Sequence, residues 1–210
     1  KILSTTTFIV SKKFLLFIFC LLLSVPSFSQ NEKEAKRVLD KAASIISNRG
    51  GAKAQFTAYS NKLKTSGSIA VKGSKFQITT PQAMVWYNGK TQWSYMRQNN
   101  EVNVSTPDAG QRARMNPYTF VNIYKKGYKL SMKNVGNSKE IHLTALAKSA
   151  IPQMYIIVDN NTGVPSHVKM LTNGSWASIV ISNFTRANIS DSYFSFNAKD
   201  FPKADIIDLR

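Results

Sequence analysis

The sequence predicts an α+β fold that is mainly β, with one long helix followed by a single antiparallel sheet of about ten or eleven strands. Apolar residues recur at three- and four-residue steps over residues 31–48, and the period changes to two from Ala52 onward. The alternation is interrupted once, in mid-chain, by two short helix signals. An antiparallel sheet of this size must curl or close, because its strands twist.

The N-terminal helix is predicted to bury one apolar stripe. Asn31 is expected to cap its start, with Glu32 and Glu34 in the first turn, and Gly50-Gly51 follows its end. The stripe comprises Ala35, Val38, Leu39, Ala42, Ile45 and Ile46.

The strands are predicted in two runs separated by the mid-chain break. Asn88-Gly89 and Asn173-Gly174 are strong hairpin turns, the first within a meander of about six strands. Residues 176–183 form the strand after the second turn. Residues 193–196 are expected to form a short aromatic strand, and residues 206–207 a last pairing.

Two proline-marked helix starts predict a two-helix insertion between the runs. Residues 106–108 and Asn116-Pro117 each place proline at the first helical position after a capping residue. The second helix would carry Phe120, Val121 and Tyr124 on one face. We expect this insertion to form a movable cover.

Composition describes an ordinary globular chain with a strong positive charge. The 210 residues include 28 Lys+Arg against 11 Asp+Glu, a formal net charge of +17, and 43% are hydrophobic. One Cys and two His exclude a disulfide scaffold and leave too few ligands for a Cys- or His-rich metal centre. The charge predicts association with something anionic.

Residues 1–29 have the parts of a secretory signal peptide. Lys12 and Lys13 precede the apolar run 14–23, and small residues at Ser27 and Ser29 suit a cleavage site. The alternative of a membrane anchor is disfavoured, because ten residues rise only about 15 Å as a helix. We expect residues 30–210 to form the mature domain.

No motif in the sequence indicates catalysis. It contains no G-x-S-x-G elbow, P-loop or G-x-G-x-x-G, and its carboxylates form no acid–base pair. His142 and His167 are interpreted as exposed residues of strands. We therefore expect no enzyme and no cofactor, although a secreted lipid hydrolase with a nucleophile near one of these histidines is an open alternative.

The basic residues are scattered, which favours a broad anionic surface over a nucleic acid. Trp86, Trp93 and Tyr95 beside basic residues would suit a stacking platform for single strands, but an exported protein rarely meets that ligand. Anionic lipid headgroups or a membrane surface are the favoured counter-charge. We expect no nucleic acid partner.

Residues 88–95, Asn-Gly-Lys-Thr-Gln-Trp-Ser-Tyr, resemble the D/N-G-K-x-x-W-x-Y hairpin of the periplasmic outer-membrane lipoprotein carrier proteins, the LolA-like family. Other parts agree in order: the signal peptide, the helix, residues 55–57 and 67–72 in the first two strands, two helices from Asn116, and residues 193–196 before a proline-containing tail. The similarity covers roughly residues 31–210.

The resemblance implies an unclosed half-barrel sheet covered by helices around an apolar cavity. Such carriers take acylated lipoproteins from an inner-membrane lipoprotein-releasing transporter and pass them through the periplasm to an outer-membrane acceptor. Gly73 stands where the family's best-known members have an arginine that latches the lid, so Lys72 or Lys75 is a possible substitute. We expect a monomer that makes transient membrane-surface contact.

An apolar cavity of this kind needs lining residues, which are also the residues that would fill an ordinary core. Met adapts to irregular or changing contents, and a large curved sheet with one long helix has little obvious filling. We expect the acyl chains to contact Phe56, Ile69, Val71, Phe76, Ile78, Met84, Trp86, Trp93, Tyr95, Phe120, Val121, Tyr124, Met154, Ile156 and Met170.

The alternative function within the same fold is an exported lipid- or lipoprotein-binding sensor that does not transfer its cargo. A transfer assay between two membranes distinguishes it from a carrier. The hydrolase alternative predicts that replacing both histidines abolishes function.

Overall fold

A computed structural model of the chain describes residues 27–47, 49–60, 63–108 and 123–210. Helix α1 spans Ser27–Ile46, and two 3₁₀ helices span Asp191–Phe194 and Ala198–Asp200. The strands are β1 (Ala52–Ser60), β2 (Leu63–Lys72), β3 (Lys75–Thr79), β4 (Ala83–Tyr87), β5 (Gln92–Met96), β6 (Glu101–Ser105), β7 (Tyr128–Val135), β8 (Ser138–Ala145), β9 (Gln153–Asp159), β10 (Pro165–Thr172), β11 (Ser175–Arg186) and β12 (Asp205–Asp208).

All twelve strands belong to one sheet, in the order β12-β6-β5-β4-β3-β2-β1-β11-β10-β9-β8-β7. The sheet is not closed, since β12 and β7 lie at its two edges, as the resemblance implies. The predicted last pairing at residues 206–207 is confirmed, but β12 pairs with β6 in parallel. The sheet is therefore antiparallel except at one edge, and it has slightly more strands than predicted.

Alternation along the strands gives the sheet two faces. We call the face that packs on α1 the inner face and the opposite face the outer face. Cross-strand partners share a face, so Ala54, Ile69, Ile78 and Val85, which pair in series from β1 to β4, all lie on the inner face. Their chain neighbours point to the outer face.

The inner face carries two clusters of buried residues, one for each half of the sheet. Helix α1 contributes Ala35 and Leu39 to a cluster on β7–β10. It contributes Ala42 and Ile46 to a second cluster on β1–β4. The predicted apolar stripe of α1 is thus confirmed, and one helix joins the two halves of the core.

Helix α1 begins four residues earlier than predicted, at Ser27, so Asn31 is not its cap. Asn31 Nδ2 donates to the Met132 carbonyl at 2.8 Å, and Met132 N donates to Asn31 Oδ1 at 2.7 Å. Met132 lies on edge strand β7, and its backbone groups on the side away from β8 would otherwise have no strand to pair with. Lys139 Nζ binds Glu34 Oε1 at 3.0 Å and adds a second tie between α1 and this end of the sheet.

The C-terminal segment covers the outer face over β2–β6. The prediction of a strand at residues 193–196 is wrong, because Asp191–Phe194 forms a 3₁₀ helix that places Phe194 fully buried against Ala70 and Ile189. Phe201 and Phe196 continue this layer and pack on aromatic side chains of β4 and β5. Aromatic residues here cover a sheet face instead of extending it.

Asp191 fastens the C-terminal segment to the outer face. Its carboxylate binds Lys75 Nζ at 2.7 Å and Lys72 Nζ at 3.0 Å. Lys72 Nζ also donates to the Ile189 carbonyl at 2.8 Å. The two lysines considered as substitutes for the family's lid latch are thus engaged with the C-terminal segment.

The predicted two-helix insertion falls largely on residues 109–122, which lie outside the described residues, as do Phe120 and Val121. Tyr124, from the same predicted helix, is described. It is 4% exposed and belongs to the β7–β10 core cluster.

Replacing Asn31 tests the contact between α1 and the edge strand. Asn31→Ala removes both hydrogen bonds to Met132, and we expect it to lower the free energy of unfolding by about 1–2 kcal/mol. Urea denaturation measures the change. Lys33→Ala, an exposed position on the same helix, is the control and should have little effect. Equal stability of the two variants would contradict this role.

Replacing Asp191 tests the fastening of the C-terminal segment. The ammonium groups of Lys75 and then Lys72 hold the pKa of Asp191 below its usual value. The ion pairs should therefore be present above the usual aspartate pKa and disappear as pH falls through the lowered value. We expect Asp191→Asn to speed amide exchange at Tyr193 and Ser195 at neutral pH and to remove this pH dependence.

Asp200→Asn, in the neighbouring 3₁₀ helix, is the matched control for exchange in the C-terminal segment. It should leave both the exchange rates and their pH dependence unchanged. Exchange in Asp191→Asn that matches the parent protein at every pH would show that the ion pairs do not hold the segment.

Candidate functional site

A band of half-buried apolar residues crosses the inner face beside the two core clusters. We call Phe56, Ile78, Val85, Ile179 and Ile181 the inner-face band; each is only partly buried. Ile181 packs against both core clusters. The band therefore joins the two halves of the inner face without being sealed as their cores are.

Phe56 is placed in the band by a glycine on the neighbouring strand. It pairs with Gly67, where a Cβ atom would come within 2.9 Å of Phe56 Cζ and 2.2 Å of the Thr79 carbonyl oxygen. Only glycine leaves this space without a shift of backbone. The ring of Phe56 thus lies over backbone and keeps an apolar face at the middle of the sheet.

The sheet is split beside the band, between β10 and β11. These strands pair only from His167–Val180 to Thr172–Ser175. Beyond that point β11 continues to Arg186 and pairs with β1 alone. The end of β10 that does not pair with β11 and the part of β11 that does not pair with β10 face each other across an opening, which we call the β10–β11 cleft.

Local sequence explains why the two strands part here. Pro165 lacks an N–H and cannot donate to a ladder, and the register of β9 and β10 shifts between Pro165 and His167. Asn183 has a positive φ of 51°, and the register of β1 and β11 shifts nearby. Asn183 Nδ2 donates to Gln55 Oε1 at 2.7 Å, which ties it to β1.

The β10–β11 cleft has a volume of about 770 Å³, within the range of about 300–1,000 Å³ typical of ligand pockets. Its apolar lining combines a helix residue with residues of both strands, and polar side chains stand among them. The apolar members are Ile45, Val164, Pro165, Ile181 and Phe184; the polar members are Asp159, Thr162, Ser166, Ser182, Asn183 and Arg186.

The one carboxylate of the cleft is used to order a turn. Asp159 Oδ1 accepts from the Thr162 backbone N–H at 2.8 Å and from the Thr162 hydroxyl at 2.9 Å. These bonds, the backbone bond first, lower the pKa of Asp159. Among the described lining residues, Asp159 is therefore an ionised side chain that orders its own turn, beside the apolar residues of the cleft.

Tyr124 contacts α1 through a hydrogen bond of its hydroxyl group. Its hydroxyl donates to Asp40 Oδ1, while Lys36 Nζ donates to Asp40 Oδ2 at 2.7 Å. Lys36 and then Tyr124 lower the pKa of Asp40, and burial with the Asp40 hydrogen bond raises the pKa of Tyr124. This contact ties Tyr124, near the start of the described residues 123–210, to the helix.

The structure places nine of the predicted site residues in or against the two core clusters of the inner face. Two of them, Phe56 and Ile78, belong to the half-buried band. The others are at most 7% exposed and serve as core: Ile69, Val71, Phe76, Tyr124, Met154, Ile156 and Met170.

Four predicted site residues lie on the outer face, so they do not join the inner-face band. Trp86 pairs with Trp93, and Met84 pairs with Tyr95. Trp86 and Tyr95 contact Phe201 with ring centroids 5.6 and 4.7 Å apart. Their size and apolarity predict that they line the cavity. Strand alternation instead places their side chains on the outer face, where the C-terminal segment packs.

Sequence reasoning missed Val85, Ile179 and Ile181. Alternation with Ser178 and Ser182 is a signal that could have found the two isoleucines. This alternation signal is weak because Val180, between the two isoleucines, is also apolar. Val180 nevertheless lies on the outer face and is 39% exposed.

The two histidines lie on the outer face but are half-buried instead of exposed. His142 stacks on Tyr155, with ring centroids 4.2 Å apart and an interplanar angle of 3°. Within the described part of the chain, Nε2 of His142 and Nε2 of His167 are buried and have no hydrogen-bond partner. These nitrogens therefore activate no described nucleophile.

Among the described residues, no group of three or more His, Cys, Asp or Glu side chains is placed to hold a metal ion. None of the helices in the same residues is both long enough and apolar enough to cross a membrane.

Similarity to solved structures supports the architecture. An uncharacterized conserved protein from Thermus thermophilus has a TM-score of 0.58 and 12% identity, over 83% of this chain and 99% of that chain. At this identity the likeness shows a shared fold.

Two more solved structures are similar at lower scores. A LolA superfamily protein from Nitrosomonas europaea has a TM-score of 0.41 and 11% identity, covering 77% of this chain and 97% of that one. LprF from Mycobacterium bovis has a TM-score of 0.43 and 8% identity, covering 75% and 95%.

The family assignment comes from sequence models. A comparison with curated proteins found none that matches this sequence. A comparison with protein-family models matched residues 25–174 to the family described as outer membrane lipoprotein carrier protein LolA. Because that match spans more than half of the 210 residues, the chain belongs to this family.

Proposed function

We propose that the protein is an exported, periplasmic carrier that shelters the acyl chains of lipoproteins against its inner face. The observation that carries this proposal is the β10–β11 cleft, an apolar opening that reaches Ile181 in the inner-face band. Family membership supports lipid or lipoprotein binding as the general activity.

The need for such a shelter follows from the cost of exposing lipid to water. Each buried methylene contributes about 0.8 kcal/mol, so three chains of about fifteen methylenes would cost about 35 kcal/mol to leave in water. A lipoprotein cannot cross an aqueous space at that cost. Binding to an apolar protein surface lowers it.

The half-buried state of the band suits a carrier that must also release its cargo. Fully buried residues such as Phe76 and Met154 already have protein neighbours on all sides. Residues of the band keep accessible apolar surface, so a chain can contact them without displacing the core. Many weak, non-directional contacts of this kind allow the acyl chains to be transferred to an acceptor that binds them more tightly.

The proposal also includes the direction of lipoprotein transfer and the proteins at its two ends. The protein would receive lipoproteins from an inner-membrane releasing transporter and deliver them to an outer-membrane acceptor, the partners that the resemblance of residues 88–95 implies. Export would use residues 1–29 as a signal peptide. Residue 29 lies in the first turn of α1, so cleavage there would leave Asn31 and its contact with Met132 intact.

Paired substitutions on β11 test which face binds the acyl chains. Ile181→Asn puts an amide in the inner-face band and should weaken binding of a fluorescent triacylated lipopeptide about tenfold or more, because burying an unpaired polar group is costly. Ile179→Asn should act in the same direction. Fluorescence titration without detergent measures the dissociation constants.

The adjacent Val180→Asn is the matched control, since its side chain lies on the outer face and is 39% exposed. It should bind the lipopeptide like the parent protein. Thermal unfolding checks that each variant is folded. The proposed site would be contradicted if Val180→Asn weakened lipopeptide binding as much as the two inner-face variants do. It would also be contradicted if none of the three variants weakened binding.

A further inference from the structure

The outer face carries an exposed aromatic and basic patch at the end of the sheet formed by the β1–β2 and β10–β11 hairpins. We define the hairpin patch as the outer-face residues Tyr59, Lys64, Lys169, Trp176 and Val180, together with Leu63 at the start of β2. Leu63 pairs with Ser60 at the inner-face rim of the same sheet end and lines the same groove as Tyr59 and Trp176. Its four apolar members are among the exposed large hydrophobic residues, at 42% for Tyr59, 77% for Leu63, 38% for Trp176 and 39% for Val180.

The two lysines of the patch lie over its aromatic rings. Lys169 Nζ is 4.7 Å from the centroid of Trp176, and Lys64 Nζ is 5.7 Å from that of Tyr59. Neither lysine forms an ion pair with a described carboxylate. Their charges are therefore available to an external anion, and the rings hold the amines close to an apolar surface.

Strand register makes the patch one continuous surface. Lys64, Tyr59, Ser178 and Lys169 are successive cross-strand partners from β2 to β10, and the same row continues to Tyr155. Tyr155 and Trp176 have ring centroids 5.7 Å apart. A shallow groove of about 260 Å³ runs between the two hairpins.

The described C-terminal segment covers a different part of the outer face. Its aromatic residues pack over β4 and β5, and Asp191 binds the β2–β3 end through Lys72 and Lys75. The hairpin patch lies on β1, β2, β10 and β11, near the opposite end of β2. The fold thus covers apolar surface at one end and leaves it exposed at the other.

We propose that the hairpin patch docks the protein on an anionic lipid bilayer. Aromatic and aliphatic side chains flanked by lysines match the membrane–water interface, where rings lie at headgroup depth and amines meet phosphates. A second copy of the chain fits poorly, because each copy carries a formal charge of +17 and like charges repel.

The inference deepens the proposed function, on which its biological meaning rests, but it concerns the opposite face of the sheet. A protein docked through the outer face would leave the inner-face band free to exchange an acyl chain. Docking would hold the carrier at the membrane while cargo enters or leaves.

Vesicle binding tests the proposal directly. Purified chain is mixed with vesicles of phosphatidylcholine containing about 30% phosphatidylglycerol, or of phosphatidylcholine alone, and bound protein is measured by co-sedimentation. We expect binding to the anionic vesicles that weakens with salt. Leu63→Ser with Trp176→Ala should lower the partition coefficient about tenfold, because both apolar anchors are lost.

Charge-matched variants separate the patch from net charge. Lys64→Glu with Lys169→Glu should reduce binding about tenfold or more, whereas Lys199→Glu with Lys203→Glu, on the C-terminal segment, should reduce it much less. Leu146→Ser, at a leucine that is 70% exposed, is the apolar control. Thermal unfolding confirms that the variants are folded.

No binding to anionic vesicles, or equal loss in both lysine pairs, would overturn the proposal. Concentration-dependent dimerisation that disappears with Leu63→Ser and Trp176→Ala, without vesicle binding, would overturn it in favour of a second copy. The lipopeptide titration separates the two claims. The patch variants should keep lipopeptide affinity, and Ile181→Asn should keep vesicle binding.

Discussion

In the described part of the chain, the structure depends on a mismatch between the length of helix α1 and the width of the sheet. Helix α1 has 20 residues, so it is about 30 Å long and about 10–12 Å wide. Twelve strands at about 4.8 Å spacing extend roughly 55 Å across. Within the described residues α1 can seal two core clusters but cannot cover the whole inner face. Half-buried residues such as Ile179 and Ile181 remain beside it.

The two faces of the sheet meet this constraint in different ways. On the inner face, β10 and β11 part near Pro165 and Asn183, and the cleft between them reaches Ile181 of the inner-face band. On the outer face, aromatic residues of the C-terminal segment fill the surface over β4 and β5. What stays exposed there is the hairpin patch. Our two proposals therefore place cargo shelter and membrane docking on opposite sides of the sheet.

Sequence patterns predicted where the helix and strands lie better than they predicted which face of the sheet each side chain occupies. The stripe of α1 and the alternation in strands such as β8 were clear because each has one apolar face. Residues 83–87 are apolar throughout, since both faces of β4 are covered, and such a run does not show which way Trp86 points. The β10–β11 cleft was beyond prediction, because it arises from pairing between strands and not from either strand alone.

The most direct test of the account is photocrosslinking with a lipopeptide that carries a diazirine in its acyl chains, followed by peptide mass spectrometry of the intact, folded protein. If the inner face shelters the acyl chains, adducts should form on inner-face residues around Phe56, Ile179 and Ile181, and unlabelled lipopeptide should compete them away. Adducts confined to outer-face residues such as Trp176, or no competable adduct, would contradict it.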